Sequence, residues 1–267
     1  MSYAAYSTLE FEQQGPCLTI WLNRPEARNS LTQRMGEELC TAMRQAKQDA
    51  EVRVVVLRGR GGVFCAGGDL KAFRSMGEMG QDARELAMSF SRDGARFLTE
   101  VQQLPQLTIA AVEGAAMAGG FGLACACDVL VTTRDARYSL SEIRVGLVAA
   151  QIAPYVIQRI GFARARQLML LAPMINGEEA FDMGMADRLA QDAGALDDEI
   201  ARLVQNTLSC SPSAIAASKH ILDIGRAGIS DTFVQEAARA FADCLVSEEG
   251  QEGFQAFMEK RKPAWVP

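Results

Sequence analysis

With 267 residues, 49% apolar and 22% charged, the chain has the composition of a globular protein of one large domain or two small ones. A net charge of −6 and a pI near 5.1 argue against a nucleic-acid surface, which is ordinarily basic. No apolar run approaches the ~20 residues of a membrane span, and the first residues lack a basic stretch followed by an apolar one, so the expected compartment is the cytoplasm. The seven cysteines (Cys17, Cys40, Cys65, Cys125, Cys127, Cys210, Cys244) are odd in number, scattered and mostly within apolar runs, and read as reduced thiols. With a single histidine and no C-x-x-C pair, no metal site is expected.

In chain order, residues 8–12 and 17–22, separated by Gln14-Gly15-Pro16, predict a hairpin. Ser30 and Gln33 offer a capping box for a helix presenting Met35, Leu39, Met43 and Ala46 on one face. A strand over 53–57 leads through Gly59, Gly61 and Gly62 to Ala66-Gly67-Gly68, where Asp69 is positioned to cap a helix. Residues 76–82 read as a polar loop, followed by a long helix whose Leu86, Phe90, Phe97, Val101 and Leu104 keep helical spacing up to Pro105. A strand over 107–112 then enters a second Ala118-Gly119-Gly120 turn and an apolar helix from Phe121, with strands over 129–132 and 137–140 beyond. From Gln151 the pattern is helical almost throughout, with Ser211-Pro212 and Ser230 as helix starts. The α/β part is therefore expected to span 1–195, and 196–267 to be a helical extension of it.

The two Ala-Gly-Gly turns organise the chain. Neither carries a side chain able to do chemistry, so their backbone must act: glycine permits close approach, and the first N–H groups of a helix lack intrahelical partners and carry the positive end of its dipole. Two such turns can aim one N–H each at the same oxygen. Nucleotide loops fit less well, because Gly120-Phe121 stands where a P-loop needs Lys-Ser/Thr, and Phe64 replaces the third glycine of a dinucleotide fingerprint. His220, alone on a late helix, reads as structural, which removes Ser-His-Asp and Cys-His chemistry. Glu142 stands out among the acids, although a surface ion pair with Arg144 is the plainer reading of it in isolation. Asp128 reads as structural, Glu113 as capping or lining the second turn, and Lys260-Arg261-Lys262 as a solvated helix end that can also grip a phosphate.

Taken together, Leu22-Asn23-Arg24-Pro25 with Asn29, the run from Phe64 to Lys71, the run from Gly114 to Gly120 with Cys127-Asp128, Ser141-Glu142 with Gly146-Leu147, and the run from Phe257 to Lys262 resemble the crotonase (enoyl-CoA hydratase/isomerase) superfamily over essentially the whole chain. The resemblance implies an α/β fold, a spiral of ββα repeats with a C-terminal helical trimerisation region, and often a dimer of trimers. It implies an acyl-CoA thioester whose carbonyl is polarised by the N–H groups of Gly68 and Gly119. Coenzyme A would be held near Ala27, Arg28, Ala66, Asp69, Leu70, Lys71 and Gly120, with Lys260 reaching it from a neighbouring subunit. Coenzyme A is then part of the substrate, and no separate cofactor is implied.

The departures bear on the reaction. Two-acid hydratases of the family carry a first Glu shortly after the glycine turn and a second further on; the second falls on Glu142, but the first falls on Gly122. A single carboxylate suits a Δ3,Δ2-enoyl-CoA isomerase, which moves one proton, whereas hydration divides naturally between two. Finer resemblance favours a hydratase: Gly119 to Cys125, Gln151 to Ile160 and Lys260 to Trp265 are similar to hydratases of branched glutaconyl-CoA esters, of the isohexenylglutaconyl-CoA and methylglutaconyl-CoA kind. Arg144 is a candidate for a second substrate carboxylate. Ser141 and Ala149 replace prolines common in the family. The expected activity is hydration of a 2-enoyl-CoA by Glu142; the alternatives are the isomerase and a catalytically weak acyl-CoA-binding protein. Glu113, or Glu78 and Asp82 from the polar loop, could stand in for the acid missing at Gly122.

Overall fold

The computed structural model describes residues 6–266; the first five residues, part of the N-terminal stretch read above for a leader, lie outside it. Strands β1 (Leu9–Gln14) and β2 (Cys17–Leu22) pair antiparallel around Gly15, as their flanking turn residues predict. Helix α1 (Gln33–Gln48) is capped two residues later than its capping pattern suggests. Thr32, not Ser30, caps it by accepting from the Met35 N–H at 3.2 Å, because Leu31, which follows the left-handed Arg28 and Asn29, is held in a bridge to Gly68. Strand β3 (Val54–Gly59) follows, then α2 (Leu70–Gly77), capped by Asp69, and α3 (Ala83–Gln102), which stops before Pro105.

The rest of the α/β region alternates between two sheets. Strands β4 (Leu107–Val112), β6 (Val129–Thr133) and β9 (Arg188–Ala190) join a six-stranded sheet of order β1-β2-β3-β4-β6-β9, parallel except for the hairpin. Strands β5 (Ala115–Met117), β7 (Arg137–Ser139) and β8 (Ile175–Asn176) form a three-stranded sheet. A residue of bridge at Cys65 extends that small sheet beside β5. Each turn of the spiral is thus one strand in each sheet and a helix: β3, Cys65 and α2–α3; β4, β5 and α4 (Gly119–Ala126); β6, β7 and α5 (Ala153–Leu171). This is the ββα spiral the resemblance implies. The short β5, β8 and β9 lie in stretches that read as turn or helix, because two or three residues carry no periodicity.

The buried side chains of β2, β3, β4, α1 and α4 form the main core, closed by Phe64, Phe121 and Tyr138; the two aromatic rings of Phe121 and Tyr138 meet edge-on at 5.9 Å. After α6 (Gly177–Asp182), α7 (Ala193–Leu208) buries Leu196, Val204 and Leu208 against the opposite face of the large sheet. The division expected at 195/196 falls inside this helix. Beyond it, α8 (Pro212–Gly225), α9 (Asp231–Val246) and α10 (Glu248–Glu259) bury only Ala256 and leave Phe241, Val246 and Phe257 more than two-thirds exposed. Among the described residues no helix is long and apolar enough to cross a membrane, and no three His, Cys, Asp or Glu side chains cluster as metal ligands.

Candidate active site

Three paired residues of the small sheet set the site. Cys65 pairs with Ala116, and Ala116 pairs with Tyr138, both in parallel. Parallel strands leave a sheet at the same edge, so the residues that follow each of the three emerge side by side. Three residues past Cys65 is Gly68, three past Ala116 is Gly119, and four past Tyr138 is Glu142. All three paired residues are fully buried, which fixes the register.

The first turn is pinned from one side. The Leu31 N–H donates to the Gly67 carbonyl at 2.7 Å and the Asp69 N–H donates to the Leu31 carbonyl at 3.1 Å, so the intervening Gly68 N–H points away from Leu31 and has no acceptor among the described residues. Gly67 sits at φ +91°, and a Cβ there would lie 2.9 Å from both the Ala118 Cβ and the Met117 carbonyl oxygen; the two turns touch at this glycine. In the second turn Ala118 holds φ 48°, ψ −118°, an uncommon conformation for a residue with a side chain. Strain of this kind costs on the order of 1–3 kcal/mol and persists only when its surroundings enforce it. Here the Ala118 N–H donates to the Ser139 carbonyl at 2.9 Å, and its own carbonyl accepts from Gly122 at 3.1 Å. The next residue, Gly119, opens α4 with its N–H unpartnered, and a Cβ on it would lie 4.0 Å from the Gly68 nitrogen. Every α4 residue after Gly119 is buried, so the dipole behind that N–H is poorly screened. Two adjacent N–H donors without partners are an arrangement that could receive an oxyanion.

Glu142 lies in a 3-10 turn, Ser141–Val145, entered directly from β7. Its Oε2 is buried with no hydrogen-bond partner. Burial pushes its carboxyl above the ordinary carboxylate range, offset in part by a backbone N–H. The ion pair with Arg144 does not form: Arg144 donates through Nε and Nη2 to the Ala172 carbonyl, at 3.2 and 2.8 Å. Both bonds go to the one carbonyl oxygen, and Arg144 is otherwise exposed.

Of the other expected residues, Ala27, Arg28, Ala66, Asp69, Leu70 and Lys71 gather around the first turn. Arg28, at φ 50°, accepts the Ala66 N–H on its carbonyl at 2.9 Å, and Leu70 and Lys71 are exposed on the first turn of α2. Gly120 is buried instead, with the would-be Cβ 2.5 Å from the Cys65 carbonyl oxygen; it lets α4 rest on the first turn. Lys260 caps α10 on the C-terminal helices, and nothing within one chain brings it to Gly68 or Gly119. Glu113 does not line the turn: it pairs with Arg58 at 2.7 Å, and Arg58 also holds Asp197. Asp128 is structural, accepting from the Thr108 N–H and hydroxyl and from Lys219.

Sequence reasoning missed Phe73, whose ring lies against Gly68 (2.6 Å from its would-be Cβ) and meets Phe90 edge-on at 5.1 Å. It also left Asn29 without a role. Fully buried at φ 54°, Asn29 accepts from Arg24 and donates to the Arg60 and Val63 carbonyls, tying the loop that leads to the first turn. The tolerance of Asn for left-handed backbone beside Pro25 was the available signal. Ile152, packed on Gly122, left no local signal at all.

Known proteins match the chain over nearly its whole length. The family described as enoyl-CoA hydratase/isomerase matches residues 12–266. The structure is similar to that of AtuE of Pseudomonas aeruginosa, with 39% identity and a TM-score of 0.93 over 98% of this chain and 100% of that one. It is similar to an enoyl-CoA hydratase/isomerase of Marinobacter aquaeolei, with 36% identity and a TM-score of 0.92 over 97% and 99% of the two chains. A crotonyl-CoA hydratase of Syntrophomonas wolfei is 28% identical across 98% of this chain and 99% of its own.

Proposed function

The chain belongs to the enoyl-CoA hydratase/isomerase family, and from that premise we propose that it hydrates a 2-enoyl-CoA thioester, using the Gly68 and Gly119 N–H groups as oxyanion donors and Glu142 as its acid–base group. The observation that carries this reading is the pair of touching turns with unpartnered N–H groups, emerging at the same sheet edge as a carboxylate with a free oxygen. Ionised Glu142 accepts a proton from water as the water oxygen bonds to C3. The C2–C3 π pair moves toward the carbonyl, and the resulting enolate oxygen rests between the two N–H groups. Protonated Glu142 then returns a proton to C2 and the thioester carbonyl re-forms. Water has added across the double bond and the carboxylate is restored. One such donor is typically worth about 10²–10³ in rate.

On this reading Ala27, Arg28, Ala66, Asp69, Leu70 and Lys71 hold coenzyme A, which enters as part of the substrate. The apolar surface left open on α8–α10 supports association of subunits, in which Lys260 of one chain would serve the site of another. The branched glutaconyl-type ester is the finer form of the proposal, and it rests on the resemblance of the 151–160 and 260–265 stretches rather than on Arg144. A second reading, Δ3,Δ2-enoyl-CoA isomerisation, is favoured by one observation, the absence of a side chain at Gly122. Purified protein incubated with straight-chain and methylglutaconyl-type 2-enoyl-CoA esters in isotopically labelled water separates them. Labelled 3-hydroxyacyl-CoA is the expected product. Unhydrated ester with an exchanged or migrated proton would establish the isomerase, and no turnover of any ester would leave an acyl-CoA-binding protein.

A further inference from the structure

We propose that Ile152 is a positioning residue that keeps the face of α4 behind Gly119 free of any side chain, so that the site works with a single carboxylate. Gly119 and Gly122 are three residues apart and share one face of α4. A Cβ built on Gly122 would stand 2.1 Å from Cγ2 and 2.4 Å from Cβ of Ile152. The obstacle is not the tip of a flexible chain. Ile152 Cβ is fixed by its backbone, and a β-branched residue has little χ1 freedom with which to yield. Retreat of the backbone is blocked as well, because the entry to α5 is tied to α3. Gln151 Nε2 donates to the Ser91 hydroxyl at 3.0 Å, and the Tyr155 and Thr99 hydroxyls are 3.3 Å apart.

Ile152 is 6% exposed, so its side chain occupies the space rather than bordering it. The place of a Cβ at position 122 is therefore filled with hydrocarbon, and a side chain there cannot enter without displacing Ile152. Glu113 is no substitute, being engaged by Arg58. Both proton movements of hydration then pass through Glu142. Only this last step rests on the proposed hydration; the exclusion itself rests on the packing of Gly122 and Ile152.

The test is a thermal cycle joined to a pH profile. Gly122→Ala should lower Tm by several degrees in the wild-type background and be neutral or stabilising in an Ile152→Ala background. Additive Tm changes, or a Gly122→Glu variant that melts like wild type, would overturn the exclusion. With a 2-enoyl-CoA substrate, log kcat/KM of the wild type should show one carboxylate ionisation, and the Gly122→Glu/Ile152→Ala variant should show a second. Two carboxylate ionisations in the wild type would overturn the single-carboxylate site. A protein that turned over no enoyl ester would defeat the proposed function, while the Tm cycle would still decide whether Ile152 excludes a side chain at 122.

Discussion

Two glutamates, Glu38 buried and Glu142 partly so, have opposite surroundings. Glu38, on α1, accepts from the N–H groups of Ser7 and Thr8 at 2.9 Å each, from both their hydroxyls, and from Arg34 Nε at 2.7 Å. Burial by itself would raise its carboxyl, but the Thr8 hydroxyl and the other donors outweigh it and bring the pKa down to about 2. Glu142 is raised by burial and has an oxygen with no partner. The same side chain is therefore a fastener between α1 and the residues that enter β1 in one place, and a group with an unsatisfied oxygen in the other. A buried polar atom without a partner is destabilising, and such atoms persist where a ligand or a reaction uses them.

The largest effect should come from breaking the Glu142 side of this contrast. Glu142→Gln is expected to lower kcat about 10²–10⁴-fold while leaving the affinity for a non-reacting acyl-CoA nearly unchanged, measured by steady-state kinetics beside calorimetric titration. Glu38→Gln should do the reverse. It replaces an acceptor-only group facing five donors, and is expected to cost about 2 kcal/mol, a fall of roughly 4–8 °C in Tm by calorimetry, with kcat per folded molecule unchanged.

Acid sharpens the contrast through the signs of the two shifts. The stabilisation from Glu38, whose folded pKa is lowered, is complete above pH ~4.5 and is lost as pH falls toward about 2. Glu142, whose folded pKa is raised, stabilises most when protonated, and that contribution is lost as pH rises from ~4.5 through its raised value. Over the acid range the Tm of Glu38→Gln should thus vary less steeply with pH than that of wild type. Because the proposed hydration needs ionised Glu142, kcat/KM should climb with pH through the raised value and then level off, rather than being already level above the ordinary carboxylate range. The smallest effect is on stability: at pH 7 Glu142→Gln should melt about 1–3 °C above wild type, since it removes a poorly solvated charge. A lower Tm for that variant would mean that Glu142 has partners in solution that its free Oε2 belies.

Much of the site was legible in the sequence because its signals are local. The Ala-Gly-Gly turns at Gly68 and Gly119 follow strand patterns and precede helices, and Asp69, Ser211 and Ser230 cap the helices their types predict. The family resemblance carried the fold and the choice of Glu142. What was read wrongly depended on neighbours far along the chain. Ser30 offered a cap but lies beside Leu31, which bridges to Gly68; Glu113 was expected to cap or line the second turn but pairs with Arg58; Arg144 looked paired with Glu142 but turns to Ala172. The short strands β8 and β9 exist only because the sheets offer them edges.

By itself, then, the sequence determined the alternation of strands and helices, the two glycine turns and the acid that follows them, since propensity, capping and dihedral freedom act over a few residues. Tertiary structure decided that these pieces form one site. The register Cys65–Ala116–Tyr138 brings Gly68, Gly119 and Glu142 to a common edge, and Ser139 holds Ala118 in the strained conformation that ends in the Gly119 donor. It also decided that Gly122 is closed by Ile152, thirty positions away. Those are pairings between distant segments, fixed by burial and hydrogen-bond geometry, which no local pattern encodes.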